Sequence, residues 1–255
     1  MPLEIITVPC LSDNYAYILH APLTGLTALV DAPEAGPIIA ELDKRGWTLD
    51  FILLTHHHDD HIDGVPELRA KYGTTVIGAE ADAHRLPDLD MAVKHGSLFS
   101  LGNVEVKVID VPGHTVGHVA FYIPAAKALF SADSLMALGC GRLFEGTPAQ
   151  MLETMEVLAT LPDDTLVYSG HEYTTTNAAF ALTVDPDNAD LQARVADTKA
   201  KRDRDEPTVP SLLSLEKKTN PFMRSSSAGI RATLGMETAS DLEVFTEVRL
   251  KRNQF

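Results

Sequence analysis

Cysteine is scarce in this chain: Cys10 and Cys140 are the two thiols in 255 residues. Two thiols so far apart make no disulfide framework, and their spacing matches no cysteine-based zinc motif. They read as buried, reduced residues, which fits a reducing compartment. Long apolar runs are also missing, and none approaches the roughly 20 residues a membrane-spanning helix needs. The first residues, MPLEIITVPCLSDNY, lack a basic region followed by an apolar stretch and lack an arginine-rich transit segment. The cytoplasm is therefore the expected location. Basic residues are few, 21 Lys and Arg against 36 Asp and Glu, for a net charge of −15. Such a surface repels nucleic-acid phosphates and anionic membranes. The expected partner is a small molecule, and an anionic one requires basic side chains gathered locally. A monomer is the expected state.

What is present is an ordinary globular composition, 45% apolar and 22% charged, in a chain long enough to bury a core without staples. A metal in such a chain serves chemistry rather than folding. Short β-like runs rich in Val, Ile, Leu, Phe and Thr predict strands over 4–8, 15–20, 26–31, 51–55, 74–77, 104–111, 118–123, 128–131 and 165–168. Helices are predicted over 37–45 and 65–72, closed by Gly46 and Gly73, and over 148–160, where Thr147-Pro148 reads as a cap with proline in the first turn. Beyond about residue 172 the strand signals stop. Helices are predicted over 174–182, 189–205, 211–217 and 241–251, with a loop at Arg224-Ser225-Ser226-Ser227. The pattern is an α/β portion followed by a smaller helical one.

Four polar blocks each follow a predicted strand. The strongest is Thr55-His56-His57-His58-Asp59-Asp60-His61. His56 and His58 point to one side of extended chain, and three imidazoles with a carboxylate suit zinc, iron or manganese. Histidines clustered with two aspartates past a buried strand have no packing rationale. The others are Gly113-His114-Thr115-Val116-Gly117-His118, Ala132-Asp133-Ser134 and Gly170-His171-Glu172-Tyr173. Alone, each of these is an ordinary polar turn. All four lie at strand ends, so they can meet along one edge of a layered fold.

Together these blocks resemble the metallo-β-lactamase superfamily. Ser12-Asp13-Asn14-Tyr15, the run from Gly139 to Thr147, Gly170-His171-Glu172-Tyr173-Thr174, Asn220-Pro221-Phe222-Met223-Arg224 and the basic end from Arg249 to Phe255 extend the resemblance to the glyoxalase II (hydroxyacylglutathione hydrolase) family over essentially the whole chain. The resemblance implies an αββα sandwich over residues 1–172 and an all-helical, substrate-binding domain over 173–255. It implies two divalent metal ions, zinc foremost with iron or manganese as alternatives. His56, His58 and His114 would hold one ion, and Asp60, His61 and His171 the other, with Asp133 bridging. His57 and Asp59 fall at variable positions. His118 would hydrogen-bond around the ligands, and His20, His84 and His95 match nothing. Arg142, Phe144, Tyr173, Arg249 and Arg252 would contact the glutathione part of the substrate.

The implied reaction is hydrolysis of S-D-lactoylglutathione or a related 2-hydroxyacyl thioester by a hydroxide bridging the two ions, the last step of methylglyoxal detoxification. Asp60 and Asp133 would be catalytic as ligands holding that nucleophile. Metal-bound water titrates near ~7, and a thiolate, from a thiol of pKa about 8.5, leaves without a strong general acid. Phe144 stands where many relatives have Tyr, and Arg142 and Arg252 where some have Lys, which alters affinity rather than reaction type. The complete second ligand set argues against a single-iron persulfide dioxygenase. The helical tail argues against a β-lactamase, and the acidity against a tRNA-processing nuclease. A non-catalytic scaffold would have lost ligands.

Overall fold

A computed structural model describes residues 3–255 and divides into two compact units. Among the described residues, the first comprises those up to 111 and 117–131, the second residues 112–116 and 132–255.

The first unit opens with an antiparallel meander, β1 (Glu4–Cys10), β2 (Asn14–Ala21) and β3 (Leu26–Val30). Parallel strands β4 (Phe51–Leu53), β5 (Thr75–Ala79) and β6 (Met91–Val93) complete a six-stranded sheet in chain order. Parallel neighbours need crossovers. Helix α1 (Ala35–Arg45) links β3 to β4, and α2 (Asp59–Ile62) with α3 (Val65–Tyr72) links β4 to β5. Ile38 and Leu42 of α1 and Val65 and Leu68 of α3 bury against Ile18, Leu29, Ile52 and Val76 of the sheet. Fully burying each such side chain contributes about 1.5–3 kcal/mol. Strands β7 (Leu98–Leu101), β8 (Val104–Asp110), β9 (Val119–Ile123) and β10 (Ala128–Ala132) form an antiparallel run. Along β8, Val104, Val106 and Val108 are buried while Glu105 and Lys107 are exposed, the alternation of a sheet with one wet face.

The second unit holds a two-residue hairpin, β11 (Leu135–Met136) with β12 (Gly139–Cys140), and the pair β13 (Leu166–Ser169) with β14 (Ser211–Leu212). Its helices are α4 (Pro148–Ala159), α5 (Thr174–Val184), α6 (Ala189–Arg202), α7 (Leu213–Thr219), α8 (Ala228–Leu234) and α9 (Asp241–Gln254). Thr147 and Ser240 form capping boxes with Gln150 and Glu243, each satisfying two otherwise orphaned backbone donors.

The predicted strands and helices have counterparts here, with shifted ends. The helix predicted over 211–217 starts later, because Ser211 and Leu212 pair with Val167 and Leu166, a long-range contact that local propensity does not encode. Strands β6, β7, β11, β12 and β14 and helices α2 and α8 add to the prediction. Among the described residues, no helix is long and apolar enough to cross a membrane.

Candidate metal centre

In the first unit the histidine block leaves β4 and turns into α2. Asp59 and Asp60 occupy the first turn of α2, where the helix dipole favours negative charge. The rings of His56 and His58 lie 4.8 Å apart, those of His56 and His61 4.2 Å apart, and His118 stacks on His56 at 4.6 Å. Asp60 Oδ2 is 3.7 Å from His61 Nε2, and the Asn14 amide donates to both Asp60 Oδ2 and the Asp60 carbonyl at 3.0 Å.

Neighbours set the ring tautomers. Asp31 Oδ2 lies 2.8 Å from His61 Nδ1 and accepts the Thr55 hydroxyl at 2.8 Å, while Oδ1 accepts the Thr55 N–H at 2.9 Å. With the Thr55 proton directed to Asp31, the Thr55 oxygen accepts from His56 Nδ1 at 3.0 Å. Both rings then carry their hydrogen on Nδ1 and offer the Nε2 lone pair. Asp31, His56 and His61 form a buried donor group, but the bonds from His61 and Thr55 make Asp31 the carboxylate that orients the rings. Asp31 has φ 56°, a left-handed backbone that Asp tolerates better than most residues.

In the second unit, Asp133 Oδ2 lies 3.5 Å from His114 Nε2 and 3.3 Å from His171 Nε2. These separations exceed an ordinary N–H···O bond. Two tetrahedral donors, each roughly 2.0–2.1 Å from one ion, stand about 3.3–3.4 Å apart. The spacing therefore suits a carboxylate oxygen that shares an ion with each of two histidine nitrogens. His114 Nδ1 donates to the Arg142 carbonyl at 2.7 Å, which turns the Nε2 lone pair outward. Gly141 is required here, since a Cβ would stand 1.9 Å from the Asp133 carbonyl oxygen and 2.9 Å from His114 Nδ1.

The expected substrate residues in this unit stand in three places. Arg142 lies over the exposed Phe144 ring at 5.5 Å, and Phe144 meets His114 edge-on at 5.3 Å. Tyr173 stacks flat on His171 at 4.7 Å. Arg249 is buried, with Nη1 donating to the Cys140 carbonyl at 2.9 Å, and Arg252 donates to Asn177 Oδ1 at 3.2 and 3.3 Å.

The sequence left several roles unassigned. Asp31 is one. His57, placed at a variable position, has Nδ1 3.1 Å from the buried Asp82, which also accepts from Arg85. Glu172 accepts the N–H and hydroxyl of Thr208 at 2.8 and 2.6 Å and so fastens the chain beside His171. A carboxylate at a strand end was the one signal for Asp31. His20, unassigned in the sequence, stacks on Trp47 at 4.0 Å as a packing residue, and His118 donates from Nδ1 to the Val119 carbonyl at 3.1 Å.

The family model for the metallo-β-lactamase superfamily matches residues 14–171. The chain belongs to that superfamily and has its fold, with a helical C-terminal region. Solved structures agree on the fold: BLEG-1 B3 metallo-β-lactamase (TM-score 0.68, 21% identity, 87% of this chain and 100% of that one) and ETHE1 from Myxococcus xanthus (TM-score 0.67, 23% identity, 98% and 90%). The model for the hydroxyacylglutathione hydrolase C-terminus matches residues 172–255. Proteins named hydroxyacylglutathione hydrolase are 64% identical in Ruegeria pomeroyi, over 100% of both chains, and 58% identical in Jannaschia sp., over 99% of this chain and 98% of that one. Within the superfamily, the chain is a member of the hydroxyacylglutathione hydrolase family. Membership and the His/Asp donor groups assign it divalent metal ions.

Proposed function

We propose that this protein hydrolyses S-2-hydroxyacylglutathione, S-D-lactoylglutathione foremost, to glutathione and the 2-hydroxy acid, completing methylglyoxal detoxification. Full-length identity to the Ruegeria pomeroyi hydrolase supports the substrate. At the site, the observation that carries the reading is the Asp133 oxygen held 3.5 and 3.3 Å from two histidine nitrogens.

In this reading His56, His58 and His114 hold one ion, Asp60, His61 and His171 hold the second, and Asp133 bridges. Zinc is the proposed metal, and iron or manganese suits the same donors. When bound, such ions supply an acidified water and polarise the thioester carbonyl. Asp60 and Asp133 are catalytic as ligands. Asp31, Thr55 and the Arg142 carbonyl hold the rings in the tautomers that bind metal. Arg142, Phe144, Tyr173, Arg249 and Arg252 bind the glutathionyl part. Three arginines supply the positive charge that an anionic substrate needs against a net −15. The thiolate leaves unaided because a thiol is far more acidic than an amine.

The same proposal takes residues 1–172 as the catalytic domain and 173–255 as the substrate-binding domain. The junction of the two family models, at 171/172, supports that division. It also takes the protein as a cytoplasmic monomer without nucleic-acid or membrane partners.

The test is hydrolysis of S-D-lactoylglutathione beside a β-lactam and glutathione persulfide, with elemental analysis of protein purified without added metal. Turnover of the thioester alone, with two metal equivalents, is the expected result. Protein carrying two metals that leaves every glutathione thioester intact would overturn the proposal.

A further inference from the structure

The motif Asn220-Pro221-Phe222 supplies no candidate ligand or substrate contact, yet Asn220 is completely buried. Its side-chain amide donates to the Met136 carbonyl at 3.1 Å, the Gly139 carbonyl at 2.9 Å and Glu216 Oε2 at 3.1 Å, while its oxygen accepts the Phe222 N–H at 3.0 Å. Met136 and Gly139 close the β11–β12 hairpin. The remaining groups of that turn are held in the same way. Glu216 Oε2 accepts the Leu138 N–H at 2.9 Å, Asn177 donates to the Ala137 carbonyl at 3.0 Å, and Arg249 donates to the Cys140 carbonyl at 2.9 Å. All four gripping side chains are at least nine-tenths buried.

The gripped turn lies between the bridging candidate and the segment that orients His114. Asp133 is two residues before β11. Gly141 follows β12 directly, returns its N–H to the Ser134 carbonyl at 3.1 Å and packs against both Asp133 and His114. The next residue, Arg142, supplies the carbonyl that fixes the His114 tautomer. A turn with Leu138 in left-handed backbone (φ 57°) is not held by its own conformational preference. Buried side-chain hydrogen bonds hold it instead, and a buried backbone group left without its partner is costly.

We infer that Asn220, with Glu216, is a positioning residue for the metal centre: through the 136–139 turn it sets the placement of Asp133 and the orientation of His114. The helical region then does more than bind substrate, since it holds the backbone on which metal ligands are mounted. The inference rests on Asp133 and His114 being ligands.

Asn220→Ala tests it, with metal retention against a competing chelator measured beside steady-state kinetics. Loosened ligand support weakens metal binding about 10–100-fold. The expected result is a folded protein with metal retention weakened at least tenfold and kcat lowered at least tenfold, with KM within threefold of the parent. Unchanged metal retention and kcat, or a rise confined to KM, would overturn the inference. Should Asn220→Ala fail to fold, Glu216→Gln decides: Glu216 Oε1 also accepts from the buried Arg194 guanidinium, so the amide keeps the size but puts a donor where Leu138 or Arg194 needs an acceptor. Weakened metal retention in that variant supports the inference, and full retention with full turnover overturns it. Asp133→Ala serves as the control: if it keeps both metals, the assignment of Asp133 fails, whatever Asn220 does.

Discussion

Asp31 Oδ2 sits 2.8 Å from His61 Nδ1, and the same carboxylate takes both the N–H and the hydroxyl of Thr55. Both groups are buried. One side chain thus orients His61 directly and His56 through Thr55. Asp31→Ala leaves the buried Thr55 N–H without its acceptor, which costs about 1–3 kcal/mol, and frees both rings. The expected loss of metal affinity is about 10–100-fold, read by chelator competition, with a lower denaturation midpoint in urea. Parental affinity in a folded Asp31→Ala protein would refute the orienting role.

Removing the metal is expected to leave the fold standing. The core clusters and the ring-orienting hydrogen bonds exist within the protein itself. Chelator-treated protein should keep its far-UV circular dichroism and lose activity. Its melting temperature should fall by the amount that ligand linkage dictates. Added zinc should restore activity without a refolding step. Collapse of the far-UV signal on chelation would show that the ions hold the structure.

Phe144 is 60% exposed, in a T-shaped contact with the His114 ring and with Arg142 over its face. On the proposed reading of Phe144 as a substrate contact, the hydroxyl added in Phe144→Tyr can make one more hydrogen bond to the glutathionyl part. The net gain is about 0.5–1.5 kcal/mol, so KM for S-D-lactoylglutathione should fall several-fold at unchanged kcat. Arg142→Ala should raise KM with little change in kcat. A change in kcat alone for either variant would move these residues out of the proposed recognition surface.

The Cys10 thiol is pushed up from 9.0 to about 12, first by burial and then by the nearby Glu34 carboxylate. Below pH 9 the thiol is protonated in both folded and unfolded chains, and the stabilisation is fully present. Between pH 9 and about 12 the unfolded thiol ionises while the folded one does not, so stability falls as pH rises. The slope contributed is at most about 1.4 kcal/mol per pH unit. Urea titrations from pH 8 to 11 should show a steeper alkaline decline in the parent than in Cys10→Ala. Equal slopes would show that Cys10 does not titrate as described.

Much of the layout was legible from residue patterns, because β9 is a continuous apolar run, β2 carries one from Tyr15 to Leu19, and capped helices such as α4 announce their starts. Strands β6 and β7 were not, since two of three residues in β6 and two of four in β7 are exposed, which leaves little periodicity to read. The candidate ligands stood out because histidines and aspartates cluster at strand ends. Within each unit the structure brings them together: His56, His58 and His61 in one, His114, Asp133 and His171 in the other. The supporting residues did not stand out. Asp31, Asp82, Glu216 and Asn220 are common residue types whose roles come from partners 24 to 84 positions away in sequence.

Gly141 has a consequence for how this enzyme can diverge. Any side chain there would strike the Asp133 carbonyl, so the position admits no drift. One and three residues further on, Arg142 and Phe144 face solvent and can be exchanged without disturbing that contact. If these two side chains meet the substrate as proposed, acceptance of new thioesters can be evolved or engineered there while the Gly141–Asp133 packing is inherited unchanged.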